Sequence, residues 1–568
     1  MYDLVIRNGT VVDGSGMPRY RADVAISGAR IAAIGRIRER GRDEIDATGH
    51  VVSPGFIDGH THMDAQIFWD PLGSCSCWHG ITSVVMGNCG FTLAPGSAAQ
   101  RELILKNIED AEDRPAASME AAIRWNWTSF REYLGVLDGL PKAINYAANI
   151  GHSSLRTHIM GERAFGGKSN HDDIGAMEHE LLDALDAGAM GFTTSLNEGH
   201  LTPDGGHVAS YYAPWEELRH LVNVVGKHGR GHFELAREKN ARSPDPAKRA
   251  QADDRLRALA VETGVPTTFG VPPGGVGAKS NLDLIDSTAA AGGRMFGQTH
   301  PRGVSHILSF RSRTQFDQLP HWKALRALPL EEQRKVLRDP AARQRLVDDV
   351  RNGQYGDAAG QPRKPDFDNM FVVKSTVLPN RTVAEVAKER KQDPVETMLD
   401  LALETDFHQL FMQFDARTRP QSDEETLASL RHPRTVMTFS DAGAHVNLIM
   451  DTSIQTYLLA WWVRERQALS LEQGVRMITM TPALTWGFAN RGLVREGYYA
   501  DLNVFNPDTI GPDMPVLASD LPTGAQRLKQ KSNGILATVI GGKKTFVGGE
   551  HTGALAGRVL RSRAGGLQ

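Results

Sequence analysis

The stretch from Pro54 to Asp64, PGFIDGHTHMD, decides the fold. A run of apolar and small residues ends on two histidines one residue apart, His60 and His62. Residues i and i+2 of a strand share a face, so both imidazoles project to one side of the strand that PGFID begins. Two nitrogen donors converging at a strand's carboxyl end suit a divalent, zinc-like ion. Taken alone, the pair reads more readily as two polar residues where a strand runs into a loop. What other strands bring beside it decides the matter.

Working outward, seven further segments have the same buried-strand texture and alternate with amphipathic helical stretches. They are TSVVMGNCG (82–90), AINYAANIG (143–151), AMGFTTSL (189–196), RGHFELA (230–236), VPTTFGVP (265–272), RMFGQTH (294–300) and TVMTFSDAG (435–443). Repeated βα units of this kind predict an α/β fold, a distorted (β/α)8 TIM barrel, with functional residues at the strand carboxyl ends. Short β-branched runs occupy both chain ends, with a turn expected at Asn8-Gly9, and predict a small β-sandwich built from residues 1–53 and 482–568. The barrel then spans 54–481 and carries insertions at about 95–140 and 309–434, near the mouth. The second contains PLEEQRKVLRDPAARQRLVDDV, a strongly helical segment.

Composition excludes several classes. Lys plus Arg total 64 against 67 Asp plus Glu, a net charge of -3, with no charged block to recruit nucleic acid or an anionic membrane. The most apolar late stretch, IQTYLLAWW, is far short of the ~20 residues a membrane helix needs. Three cysteines, Cys75, Cys77 and Cys89, are too few and too clustered for a disulfide scaffold, which predicts a reducing, cytoplasmic setting.

Three strand ends add donors to the histidine pair. Cys89 closes strand two, His232 lies on strand five, and Asp441 ends strand eight, where a buried carboxylate needs a cation or hydrogen bonds. The phrases PGFIDGHTHMD, NCG, SDAGAH and MTPALTWGFANRGLVREGYYADLNVFNPDTI (480–510) together resemble the amidohydrolase superfamily, and within it the D-aminoacylase branch. The resemblance covers nearly the whole chain. It implies that His60, His62 and Asp441 hold one metal site, that Cys89 and His232 belong to a second, tighter one, and that Asp441 shuttles protons. It also implies one or two zinc ions and a small-molecule amide substrate, most simply an N-acyl amino acid; a cyclic amide is the alternative, and a non-catalytic barrel scaffold the alternative of another class.

The chemistry implied is amide hydrolysis by a metal-bound hydroxide, with Asp441 passing the water's proton to the leaving nitrogen. The chain departs from the branch at strand six. There VPTTFGVPPGG lacks the His-His-Lys type of motif that gives D-aminoacylases a third tight-site ligand and a carboxylate anchor. Strand four lacks the bridging Lys of wider relatives, a role that Cys89 fits. His300 is the candidate for the missing ligand; Arg302, or Arg311 and Arg313, are candidates for an anionic substrate group. His445 and His152 are further pocket candidates. Asp58 and Asp64 are expected in turns and hydrogen bonds, the Tyr211-Tyr212 pair and Trp125, Trp127 and Phe130 in packing. No partner protein is implied, and a homo-oligomer is compatible with the sequence.

Overall fold

The computed structural model describes residues 1–274, 277–355, 364–415 and 418–563. Strand one is Phe56–Asp58 continued by His60–Thr61; strand two is Ile81–Met86; strand three is Asn145–Ala148 continued by Ile150–Gly151; strand four is Phe192–Ser195. Strand five is Phe233–Ala236, six Thr267–Gly270, seven Met295–Thr299, and eight Thr435–Met437 continued by Phe439–Ala442. Each pairs in parallel with the next. Strand eight closes on strand one, Phe439 opposite His60 and Ala442 opposite Thr61. The eight segments expected from sequence are the eight staves of this barrel.

Strands one, three and eight are each interrupted by one residue, and these breaks distort the ring. At Gly59 an added Cβ would stand 2.5 Å from the Trp486 ring, so only glycine lets that indole seal the barrel floor. The Gly59 N–H donates to the Thr438 hydroxyl, which ties the breaks in strands one and eight together. Ile57, Val85, Met190, Val436, Trp486 and Phe488 pack into a buried apolar layer at this end.

Residues from both chain ends form one nine-stranded sheet, joined where Val51–Pro54 runs antiparallel to Leu502–Phe505. Its buried face gathers Leu4, Ile6, Val24, Val52, Val504 and Val539. Two expectations change in detail. Asn8-Gly9 is not a hairpin turn but an irregularity inside a continuous strand, Tyr2–Val11, with Asn8 at φ 60°. The left-handed residue lets the strand absorb one extra position and bend. The last strand, Val559–Leu560, leaves the terminal sheet and pairs with Tyr146–Ala147 of strand three, on the side facing strand four.

The first insertion docks through its aromatics. Trp127 and Phe130 are buried, and the Trp125 and Trp127 indoles donate to the Gly96 and Leu93 carbonyls. The second builds its own core around Phe316, Trp322, Leu346, Met398 and Phe411. The segment 330–352 forms the expected helices, Leu330–Arg338 and Pro340–Asn352. Among the described residues no helix is long and apolar enough to cross a membrane.

Candidate active site

The strand carboxyl ends open into a cavity of about 170 Å³ lined by His60, His62, Cys89, Glu234, Asp441 and His445, among others. Cys89 arrives on a tight left-handed turn, with Gly87 at φ 81°, Cys89 at 54° and Gly90 at 80°. Thr193 of strand four pins that turn: its hydroxyl donates to the Gly87 carbonyl at 2.6 Å and accepts from the Gly90 N–H at 3.1 Å. The Asn88 amide donates to the Thr61 and Val85 carbonyls, both at 3.0 Å. Asp441 and His445 also have positive φ, 58° and 44°. Left-handed backbone at non-glycine residues costs about 1–3 kcal/mol each and persists where surrounding contacts over-determine it, as they do here.

The donor atoms then converge. His60 Nε2 lies 3.4 Å and His62 Nε2 3.1 Å from Asp441 Oδ1. Cys89 Sγ lies 3.7 Å from His60 Nε2. Ligand atoms of His60, His62 and Cys89 all fall within 4.8 Å of one another. The His60 Nδ1 is 2.5 Å from Gln298 Oε1, so the ring donates there and presents Nε2 to the cavity. His62 Nδ1 lies 3.4 Å from Glu112 Oε1 but makes no hydrogen bond. Two imidazoles, a thiol and a carboxylate so gathered are a donor set that fits zinc.

Electrostatics agrees with that fit. Burial opposes charge on both Asp441 and His60, but their mutual attraction overrides it, holding Asp441 well below the carboxylate range and raising His60. Burial lowers His62 to about 4 against the pull of Asp441, so its ring is neutral and able to ligate. Burial, reinforced by Glu234, lifts the Cys89 thiol well above its ordinary value. A cation would reverse that bias, because a coordinated thiol is deprotonated.

The other expected residues fall elsewhere. His232 is buried one strand repeat below Glu234, its ring 6.4 Å from Trp486 at the floor and its Nε2 without a hydrogen-bond partner. It shares a face with Glu234 but sits too low to reach the cavity. Glu234 stands at the mouth instead: its Oε2 accepts from the Cys89 N–H at 2.7 Å. His300 is not brought to the cluster; Nδ1 contacts the Arg302 carbonyl and Nε2 lies 3.5 Å from Asp451 Oδ2. Arg302 donates to Asp451 at 2.7 Å. His152 is bound between Thr194 and Glu217, at 2.9 and 2.8 Å. Neither His152, His300 nor Arg302 lines the cavity, whereas His445 does.

Arg311 contacts His408 and Arg313 pairs with Asp113, both exposed. Tyr211 packs on His207, ring centres 4.0 Å apart. Asp58 accepts from the His60 N–H and Asp64 from the Gly87 N–H. Pro272, Gly274 and Gly277 of the glycine-rich run line the cavity; residues 275–276 lie outside the described residues.

Sequence reasoning missed Glu112, Glu234, Gln298, Arg237 and Arg242. Arg237 and Arg242 also line the cavity, and Arg237 is held by Asn281 at 2.7 Å and by Asp253. A polar Gln inside apolar RMFGQTH was a readable signal for Gln298. Glu112 rides on the first insertion, where no local pattern announces it.

The amidohydrolase family model matches residues 43–273 and 336–546, well over half of the chain. The chain belongs to the amidohydrolase family. This amidohydrolase is 30% identical to the N-acyl-D-glutamate deacylase of Alcaligenes xylosoxydans over 91% of each chain. It is 26% identical to the D-aminoacylase of the same organism, over 99% of this chain and 98% of the relative. It superposes with a TM-score of 0.63, at 25% identity and 99% coverage of both chains, on the N-acyl-D-glutamate deacylase from Bordetella bronchiseptica, solved with zinc and a phosphonate mimic of the tetrahedral intermediate. Its relatives put the amidohydrolase in the D-aminoacylase branch, and it is a metal-dependent hydrolase of non-peptide carbon-nitrogen bonds.

Proposed function

We propose that this amidohydrolase deacylates N-acyl amino acids of the D series. The observation that carries the reading is Asp441, whose Oδ1 faces His60 and His62 at 3.4 and 3.1 Å inside a cavity that Arg237 and Arg242 also line. The names of the deacylase relatives support the substrate class.

His60, His62, Cys89 and Asp441 would hold the ion. A zinc ion held there would supply an acidified water and polarise the amide carbonyl. Asp441, kept ionised by its imidazole neighbours and a quarter exposed to the cavity, accepts a proton from the attacking water and returns it to the leaving nitrogen. Gln298 keeps His60 in one tautomer, and the Arg114 guanidinium, donating to the His62 and Gly443 carbonyls, fixes the loop that aims Asp441. Arg237 and Arg242, which line the same cavity, are the cationic side chains that a substrate carboxylate would meet there. Three free, buried cysteines support a reducing, cytoplasmic setting as part of the same proposal.

The test is a metal-reconstituted enzyme offered paired N-acyl-D and N-acyl-L amino acids, simple amides and cyclic imides. Cleavage confined to the D series supports the reading; cleavage of cyclic imides alone overturns it in favour of the cyclic amide alternative.

A further inference from the structure

Strand six and the turn after it give the cavity Gly270, Pro272 and Gly274, none of which carries a donor side chain. A side chain at 270 would be crowded: an added Cβ would stand 3.1 Å from the Phe439 ring, which itself packs on His60 with centres 4.5 Å apart. Strand five fills the deficit. Glu234 is 1% exposed, has its Oε2 committed to the Cys89 N–H, and leaves Oε1 at 3.9 Å from Cys89 Sγ. Tetrahedral zinc sites with metal–ligand bonds of about 2.0–2.3 Å put their ligand atoms roughly 3.3–3.8 Å apart. The Sγ to His60 Nε2 separation, 3.7 Å, and the Sγ to Oε1 separation, 3.9 Å, are within a few tenths of an ångström of such edges.

We propose that Glu234 is a metal ligand of this enzyme, its Oε1 joining Cys89 Sγ and His60 Nε2 around one ion, and that His232 is not. The proposal rests on the metal-dependent reading above. A buried carboxylate without a cation would be costly beside Asp441 and Glu112, so the ion and Glu234 stabilise each other. The thiolate and the Glu234 carboxylate together would bring two negative charges to the ion, beside the His62 and Asp441 donors gathered at the same place.

Cobalt(II) titration of the metal-stripped full-length protein tests this without recourse to activity, because the thiolate-to-cobalt absorption reports an ion at Cys89. Losing an outer partner of a metal ligand typically costs 10–100-fold in affinity, so losing a ligand should cost at least about 10-fold. Glu234→Gln is expected to weaken cobalt binding by that factor, Glu234→His to restore it, and His232→Gln to leave it within about twofold of the parent. Should Glu234→Gln fail to give a folded circular dichroism spectrum, Glu234→Asp and Glu234→His carry the comparison. Unchanged affinity in Glu234→Gln or, where that variant does not fold, in Glu234→Asp, loss of affinity in His232→Gln, or no thiolate band in the parent overturns the assignment. A parent with the band, weakened in Glu234→Gln and restored in Glu234→His, that cleaves no N-acyl amino acid supports the assignment and overturns only the substrate reading.

Discussion

The Nδ1 of His60 lies 2.5 Å from the Oε1 of Gln298, a buried side chain on strand seven whose amide nitrogen has no hydrogen-bond partner. The contact fixes which imidazole nitrogen faces the cavity. Gln298→Ala frees the ring and should lower zinc affinity about 10–100-fold while barely moving the melting temperature. Competition with a chromophoric chelator measures it; an unchanged affinity would mean that Gln298 only packs.

Asp441 is assigned proton transfer, a role worth about 10²–10⁴-fold in rate. Asp441→Asn keeps an oxygen donor but cannot cycle a proton. Its kcat should fall by that order, and the acid limb of the kcat/KM profile should vanish. A variant with wild-type pH dependence would move the proton shuttle elsewhere.

An added Cβ at Gly270 would press on the Phe439 ring at 3.1 Å. Gly270→Ala should therefore destabilise by about 1–3 kcal/mol through overpacking, and Phe439→Ala in the same chain should recover part of that loss. Urea denaturation of the two single variants and the double variant gives the coupling; additive effects would refute the contact.

Away from the cavity, Glu217 is buried between His152 and Arg156. Burial alone would raise its carboxyl, but these two partners override it and hold it at about 2, against an ordinary value of 4.5. A depressed carboxylate stabilises above pH 4.5 and loses that contribution as the pH falls toward 2, a term of about 3 kcal/mol at most. His152, lowered by burial, acts in the same direction below pH 6.5, because the unfolded chain takes up the proton first. Urea midpoints should drop steeply from pH 6 to pH 3. In Glu217→Gln the unfolding free energy at pH 7 should already be lower, by about 3–5 kcal/mol for the unpaired Arg156, and the acid slope shallower. Parallel slopes would contradict the assignment.

The barrel was legible because each stave is a short apolar run ending on glycine, asparagine or a polar donor, and His60, His62, Cys89 and Asp441 sit at those ends. Height along a strand was not legible. His232 and Glu234 share a face, and nothing local says that the first lies at the floor beside Trp486 and the second at the mouth. Glu112 and Arg114 were hidden for another reason: they enter from an insertion whose path over the mouth is set by contacts such as Arg114 with the His62 carbonyl, more than fifty residues away in sequence. His300 and Arg302 read as site residues, yet a buried carboxylate, Asp451, claims both.

Under the proposed function, hydrolysis of N-acyl-D-amino acids in the cavity around His60, His62, Cys89 and Asp441 depends on a bound ion. The most direct measurement is kcat/KM for an N-acyl-D-amino acid before chelation, after it, and after zinc is returned, in the parent and in His60→Ala. Activity should be lost on chelation, regained with zinc in the parent, and not regained in His60→Ala. Full activity in the chelated protein, or equal recovery in His60→Ala, would contradict that dependence.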